Sequence, residues 1–93
     1  MAADLFAHVW GSAIEIERRR RVRLSLWAYA YEIGGSSIVD DATYDREAYA
    51  SDKSISTGMF DDWWRIFFTP HTGQWIHGHP DLPGIAKLYD RLA

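Results

Sequence analysis

Cysteine is absent from this chain of 93 residues, which excludes a disulfide framework and any metal site built on thiolates. Long apolar runs are also absent, and none approaches the roughly 20 residues that a membrane span needs. The first residues lack the basic start and long apolar stretch of a signal peptide. We therefore expect a cytoplasmic protein with no membrane-spanning segment.

Sequence motifs for catalysis are missing as well. The chain has no G-x-S-x-G elbow, no G-x-G-x-x-G and no G-x-x-x-x-G-K-[ST] loop. His71, His77 and His79 lie near Asp81 in a stretch rich in proline and glycine, but their spacing differs from that of the usual zinc ligand sets. We assign these histidines to turn geometry and surface hydrogen bonding, and we expect neither a metal site nor an enzyme.

Positive charge is scarce outside the first third of the chain. Residues 1–31 carry five arginines and three carboxylates, whereas residues 32–93 carry five basic and ten acidic side chains. The net charge of −3 is unlike the strongly basic footprint of a DNA-binding domain.

The arginines are concentrated in one run, Arg18–Arg21 followed by Arg23. Successive residues of a helix lie about 100° apart, so this run wraps around a helix and does not form one stripe. We interpret it as a solvated surface with ion pairs to Glu15 and Glu17 at helical spacing. A contact with phosphate or weakly bound nucleic acid, and a surface for a protein partner, remain alternatives.

Apolar residues, by contrast, are plentiful. They make up 47% of the chain and aromatic residues 15%, with five tryptophans, which predicts one folded domain spanning 1–93. Their spacing predicts a compact all-α fold of four or five helices and no strand. The predicted helices cover residues 3–10, 13–33, 41–51 and 59–68, followed by a last helix capped by Asp81 with Pro83 in its first turn.

The second of these helices is expected to span the domain. Ser12 and Glu15 have the spacing of a capping box, although one unbroken helix from 3 to 33 with Gly11 inside it is the alternative. The helix is expected to pack antiparallel on the next one, so that residues 13–51 form a helix-loop-helix. Its predicted core stripe is Ile14, Arg18, Val22, Leu26, Ala30 and Ile33.

The helix at 59–68 is unusually aromatic. Trp63, Trp64, Phe67 and Phe68 give it more apolar surface than a solvated helix carries. We interpret it as core filler between helices. The alternative is a surface around Trp63 and Trp64 that is buried against a protein partner or a second copy of the chain.

One corner gathers groups that can bind a ligand. Tyr31 lies in the last turn before Gly34-Gly35, which stop the helix, and Asp41, Tyr44 and Asp45 open the next helix. A tyrosine ring can stack on a flat heteroaromatic ring, and a carboxylate can accept hydrogen bonds from ribose hydroxyls. Packing tyrosines with capping aspartates would give the same pattern without any ligand.

This corner resembles the small N-terminal helical domain of bacterial NAD-dependent DNA ligases. That domain carries a Tyr followed by His, a loop, and then Asp-x-x-Tyr-Asp; the matching residues here are Tyr31-Glu32 and the segment from Asp41 to Tyr44-Asp45. The match covers roughly residues 20–50. Glu32 stands where the family has histidine, and the family's Lys-x-Asp-Gly motif is absent.

The resemblance implies that residues 1–51 form a ligase-like helical hairpin. Residues 52–93 then add an aromatic helix, a loop and a C-terminal helix to the same domain. In the family this domain clasps the nicotinamide mononucleotide (NMN) half of NAD. The resemblance therefore implies binding of NMN or NAD through Tyr31, Glu32, Asp41, Tyr44 and Asp45. It further implies a stand-alone, non-enzymatic ligase-related protein, of phage or prophage type. A helical protein-interaction module is the competing hypothesis.

Overall fold

The computed structural model describes residues 11–92, which form four α-helices and one short 3-10 helix. These are α1 (Ala13–Glu32), α2 (Asp41–Ala50), α3 (Asp61–Phe67), the 3-10 helix (Gln74–Gly78) and α4 (Leu82–Leu92). No strand occurs in residues 11–92, so the predicted all-α fold is confirmed. The predicted helix at 3–10 lies outside the described residues. Within 11–92, no helix has both the length and the apolar character needed to cross a membrane.

Helix α1 begins where the capping box predicts. Ser12 has an extended backbone, with φ −65° and ψ 151°, and its hydroxyl accepts a hydrogen bond from the amide of Glu15. This side chain satisfies one of the amides that lack a partner at a helix start. The chain therefore leaves helical geometry at Ser12, and the alternative of one unbroken helix from 3 to 33 is wrong.

The end of α1 is closed by the predicted glycine pair. Gly35 has a φ of +87°, a conformation that glycine adopts without steric cost. The amides of Gly34 and Ser36 donate to the carbonyls of Tyr29 and Ala30. A Cβ on Gly34 would lie 2.6 Å from the hydroxyl of Tyr89 on α4, so a side chain at this position would require the Tyr89 ring to move.

Helices α1 and α2 run antiparallel, as predicted. Arg23 contacts Glu47, whereas Arg20, one turn earlier on α1, reaches the carbonyl of Ala50 at the end of α2. Asp52, just beyond α2, donates its amide to Glu17, a further turn back. The partner numbers rise on α2 as they fall on α1, which is the signature of an antiparallel pair.

The buried face of α1 differs from the predicted stripe. Ile14 and Ile33 are 48% and 40% exposed, so the predicted stripe is wrong at both ends, whereas Arg18, Val22 and Leu26 are half-buried and Ala30 is buried. The buried residues of the helix are Glu17, Arg21, Leu24, Ser25, Ala28 and Ala30. A charged pair thus occupies the first part of the core face and small or apolar residues occupy the second.

A buried ion network joins α1 to the loop before α3. Glu17, with no exposed surface, accepts hydrogen bonds from Arg21 Nε at 2.8 Å, from the Ser51 hydroxyl at 2.6 Å and from the Asp52 amide at 3.1 Å. Arg21 also donates to Asp61 at 2.8 Å. Every member is hydrogen-bonded, the condition for a buried charge to be tolerated.

The arginine run is therefore part of the fold. Its ion pairs to Glu15 and Glu17 are confirmed, but the interpretation as a solvated surface is wrong for Arg21, which is 5% exposed and also donates to the carbonyls of Asp52 and Ile55. Arg18 donates to the carbonyl of Thr57. These arginines bind the chain's own loop between α2 and α3.

The aromatic core lies against the middle of α1. The rings of Trp64 and Phe68 stack with centroids 4.2 Å apart, and Trp75 meets both edge-on. Aromatic pairs in these arrangements add about 0.5–1.5 kcal/mol beyond the burial of their area. The buried core cluster consists of Leu24, Ala28, Ala48, Trp64, Phe68, Trp75 and Ile76.

Helix α3 is only half core filler. Ile66 and Phe67 are 71% and 54% exposed, whereas Trp64 and Phe68 are buried. The interpretation as core filler therefore holds for Trp64 and Phe68, and a partner surface around Trp63 and Trp64 stays an alternative prediction. The helix also starts later than expected, because Phe60 has a left-handed backbone with φ 56° immediately before Asp61. On α2, the side chain of Tyr49 is exposed.

Glu17→Gln should lower the free energy of unfolding more than any substitution that breaks an exposed ion pair. The change leaves Arg21 with one buried counter-ion fewer, and removing one member of a buried pair typically costs about 3–5 kcal/mol. Arg23→Gln, which breaks the exposed pair with Glu47, should cost less than about 1 kcal/mol. Urea unfolding of both variants measures the difference; equal losses would contradict a dominant role for the network.

Asp61→Asn should make the stability of the protein fall less steeply as the pH is lowered. Burial would raise the pKa of Asp61, but hydrogen bonds from Thr57 and Gly58 and the charge of Arg21 overcome this and hold the pKa well below its usual range. A depressed pKa stabilises the folded state above the unfolded value, and the stabilisation is lost as the pH falls below about 4. Thermal unfolding between neutral and acid pH should show a shallower fall for this variant than for the exposed-carboxyl control Asp62→Asn.

Candidate functional site

A groove of about 480 Å³ lies between the end of α1, the start of α2 and the turn before the 3-10 helix. All five residues that the ligase resemblance singles out line it. They are joined there by residues from the loop after α1 and from the turn. The complete lining is Trp27, Ala28, Tyr31, Glu32, Ser37, Val39, Asp41, Tyr44, Asp45, His71, Thr72, Gly73 and Gln74.

The helix-loop-helix places two of the groove's walls. Asp40 is the N-cap of α2, and its carboxylate accepts a hydrogen bond from the amide of Thr43 at 2.8 Å. Asp41, Tyr44 and Asp45 follow at helical spacing and share one side of α2. Trp27 and Tyr31 are likewise four residues apart on α1, so aromatic rings from one helix lie opposite carboxylates and a phenol from the other.

Tyr31 is the more accessible of the groove tyrosines. It is 62% exposed, and no hydrogen bond of its hydroxyl occurs within residues 11–92. A ring in this position can stack on a ligand without first breaking a contact of the fold.

Tyr44 is held in the wall of the groove. Its hydroxyl donates to the carbonyl of Thr72 at 3.2 Å, and the indole nitrogen of Trp75 donates to the same oxygen at 2.9 Å. Burial raises the pKa of Tyr44 above its ordinary value, the nearby Trp75 opposes this rise, and the negative charges of Asp45 and Glu32 add to it. Tyr44 therefore stays a neutral donor at physiological pH and fixes the turn against α2.

The carboxylates give the groove a negative lining. Glu32, Asp41 and Asp45 contribute three formal negative charges, and among the lining residues that the structure describes there is no lysine or arginine. The Glu32 carboxylate has one neighbour, with Oε1 3.2 Å from Nε2 of His77. Asp41 and Asp45 are exposed, so their oxygens are available to a ligand.

The third wall was missed by sequence reasoning. His71, Thr72, Gly73 and Gln74 come from a turn that begins 21 residues after the end of α2. Gly73 packs so closely that a Cβ there would lie 3.4 Å from the Cβ of Ala28. Nothing local in the sequence pairs this turn with the corner. Trp27 could have been included, because it lies one helical turn before Tyr31.

The histidines do not form a metal centre. Within residues 11–92, no group of three histidine, aspartate or glutamate side chains is placed to hold a metal ion. His77 faces Glu32, whereas the His79 ring packs edge-on against Phe60 and Trp63. Burial lowers the pKa of His79, and the charge of Asp81 opposes that shift.

No protein-family model, curated protein or solved structure matches this chain. Aromatic rings supply stacking faces and attract cations through the ring quadrupole, and exposed carboxylates accept hydrogen bonds from hydroxyls or amides. This combination suits a small ligand with a flat ring and several hydroxyl groups.

Proposed function

We propose that the chain is a non-enzymatic helical module, related to the N-terminal domain of NAD-dependent DNA ligases, that binds a nicotinamide nucleotide (NMN or NAD) in the groove. One observation carries the proposal: Tyr31, Glu32, Asp41, Tyr44 and Asp45 all line the same groove. The residues stand out in the sequence by their chemistry and by the resemblance, and they come from both sides of an eight-residue loop. Their convergence supports a shared site.

The chemistry of each wall supports the same ligand class. The exposed ring of Tyr31 offers a stacking face for the nicotinamide ring, which is positively charged in NAD and NMN. Asp41 and Asp45 offer acceptors for ribose hydroxyls, as the acidic residue of dinucleotide sites does. Tyr44 is engaged by Thr72 and serves to shape the wall.

Binding without catalysis fits the remaining sequence. The chain has no Lys-x-Asp-Gly motif for adenylation, and within residues 11–92 the arginines of α1 are engaged by carboxylates and carbonyls. The groove is open on one side, so a bound nucleotide stays partly hydrated. We therefore propose a weak site, with a binding free energy of about −4 to −5 kcal/mol.

NMN should bind the groove in the high micromolar to millimolar range, and Tyr31→Ala should abolish the binding. The substitution removes the stacking face and should cost little stability, because the ring is largely exposed. Amide chemical shifts of residues 29–45 and 71–74, followed as NMN is added, measure the interaction.

Tyr49→Ala is the matched control for this experiment. Tyr49 is 66% exposed on α2 and does not line the groove, so its loss should leave the titration unchanged. If residues 29–45 do not respond to millimolar NMN, or if Tyr49→Ala weakens binding as much as Tyr31→Ala does, the proposal is wrong.

A second candidate function is protein interaction through the outer face of α3. Met59, Phe60, Ile66 and Phe67 are each more than 40% exposed on or next to this short helix. Large apolar side chains clustered at the surface mark interaction sites. The neighbouring Trp64 anchors the helix in the core, so this face is presented on a fixed scaffold.

If α3 mediates self-association, Phe67→Lys combined with Ile66→Lys should shift the protein to monomer. Neither side chain belongs to the buried core, so the fold should persist. Sedimentation equilibrium over a range of concentrations compares the variant with the parent chain. A parent chain that is monomeric throughout would exclude self-association through α3.

A further inference from the structure

The described lining of the groove favours a positively charged ring and disfavours a phosphate group. Resting on the proposed function, we propose that the groove binds the phosphate-free nicotinamide nucleoside more tightly than NMN or NAD. This nucleoside is a planar pyridinium cation with ribose hydroxyls. Glu32, Asp41 and Asp45 line the groove together with Trp27 and Tyr31. A cationic ring is attracted both by the carboxylates and by the aromatic faces.

A phosphate group finds no compensating partner in the described lining. Lysine and arginine, the side chains that bind phosphate most often, are absent from the residues that line the groove in the described chain. His71 is the one histidine among the described lining residues. His77 lies outside the lining, with its Nε2 3.2 Å from Oε1 of Glu32. Three carboxylates therefore outweigh the one imidazole.

The start of α2 does not fill this gap. A helix N-terminus is a common anion site because its first amides lack partners, but here the Asp40 carboxylate already takes the amide of Thr43 at 2.8 Å. The side chain and backbone of Thr43 hold the pKa of Asp40 below its ordinary value, and the charge of Arg46 contributes to the shift. An incoming phosphate would meet a carboxylate that is ionised at neutral pH.

The arginines of α1 lie on another part of the helix. Arg20 and Arg23 contact Glu47, and Arg21 contacts Glu17 and Asp61. From residue 24 to residue 32, α1 carries no basic side chain. The part of α1 that faces the groove thus contributes a carboxylate, Glu32, and aromatic rings, and it contributes no cation.

The test compares three ligands by chemical-shift titration at low salt: nicotinamide riboside, NMN and uncharged nicotinamide. We expect the riboside to bind about tenfold more tightly than NMN, which corresponds to about 1.4 kcal/mol, and nicotinamide to bind more weakly than the riboside. Raising the salt to about 0.15 M should narrow the ratio between riboside and NMN, because exposed charges are screened.

Two variants locate the effect. Glu32→Gln keeps the shape of the side chain and removes its charge, so it should bring the riboside-to-NMN ratio at least threefold closer to one. Asp62→Asn removes an exposed carboxyl on α3, away from the groove, and should leave the ratio unchanged. Equal responses of the two variants would overturn the proposed role of the groove's charge.

The outcomes separate this inference from the proposed function. If NMN binds in the groove as tightly as the riboside or more tightly, the selection is wrong while nicotinamide binding stands. A loss of NMN affinity in Arg46→Gln, with riboside affinity unchanged, would show a phosphate contact and overturn the selection in the same way. If none of the three ligands shifts residues 29–45, the proposed function and this inference both fail.

Discussion

The ion network of Glu17, Arg21 and Asp61 is the constraint on which the rest of the fold depends. Glu17 and Arg21 are buried and Asp61 is half-buried beside them, and each is held by several hydrogen bonds with the loop between α2 and α3. Desolvation of single charges is costly, so the loop is stable only where these bonds form together. The network therefore fixes the position of that loop and, through Asp61, the start of α3.

The position of α3 is transmitted to the groove through the aromatic core. Trp64 donates from its indole to the hydroxyl of Ser51, itself a donor to Glu17, and stacks on Phe68. Trp75 packs against both rings and donates to the carbonyl of Thr72. The same carbonyl accepts the hydroxyl of Tyr44, so the third wall of the groove rests on contacts that begin at the ion network.

The helix ends and the corner could be predicted because they depend on local chemistry. Contacts between segments that are distant in the sequence could not be predicted in this way. Ser12 and Gly35 act on amides and carbonyls within a few residues, so their positions indicated both ends of α1, with an unbroken helix from 3 to 33 as the alternative. The inward face of α1 was missed because hydrophobicity favours Ile14 and Ile33, although four consecutive arginines wrap most of a helix turn and so direct at least one inward. The turn at 71–74 could not be assigned to the groove, because its contact with Ala28 depends on tertiary packing alone.

The two parts of α1 carry charges of opposite sign: arginines predominate in the first, and a carboxylate lies at the end of the second. Up to residue 23, the arginines of α1 contact carboxylates of α1, α2 and α3 and carbonyls of the intervening loop. From Leu24 onward Glu32 is the one charged residue of α1, and Asp41 and Asp45 on the facing helix add charges of the same sign. Burial of Tyr44 between these carboxylates raises its pKa and keeps its phenol neutral. Since like charges near one another repel, an occupant of opposite sign would stabilise the groove. The flat cationic ring of the proposed ligand would supply that charge and cover the exposed face of Tyr31 at the same time, whereas a phosphate would add to the repulsion.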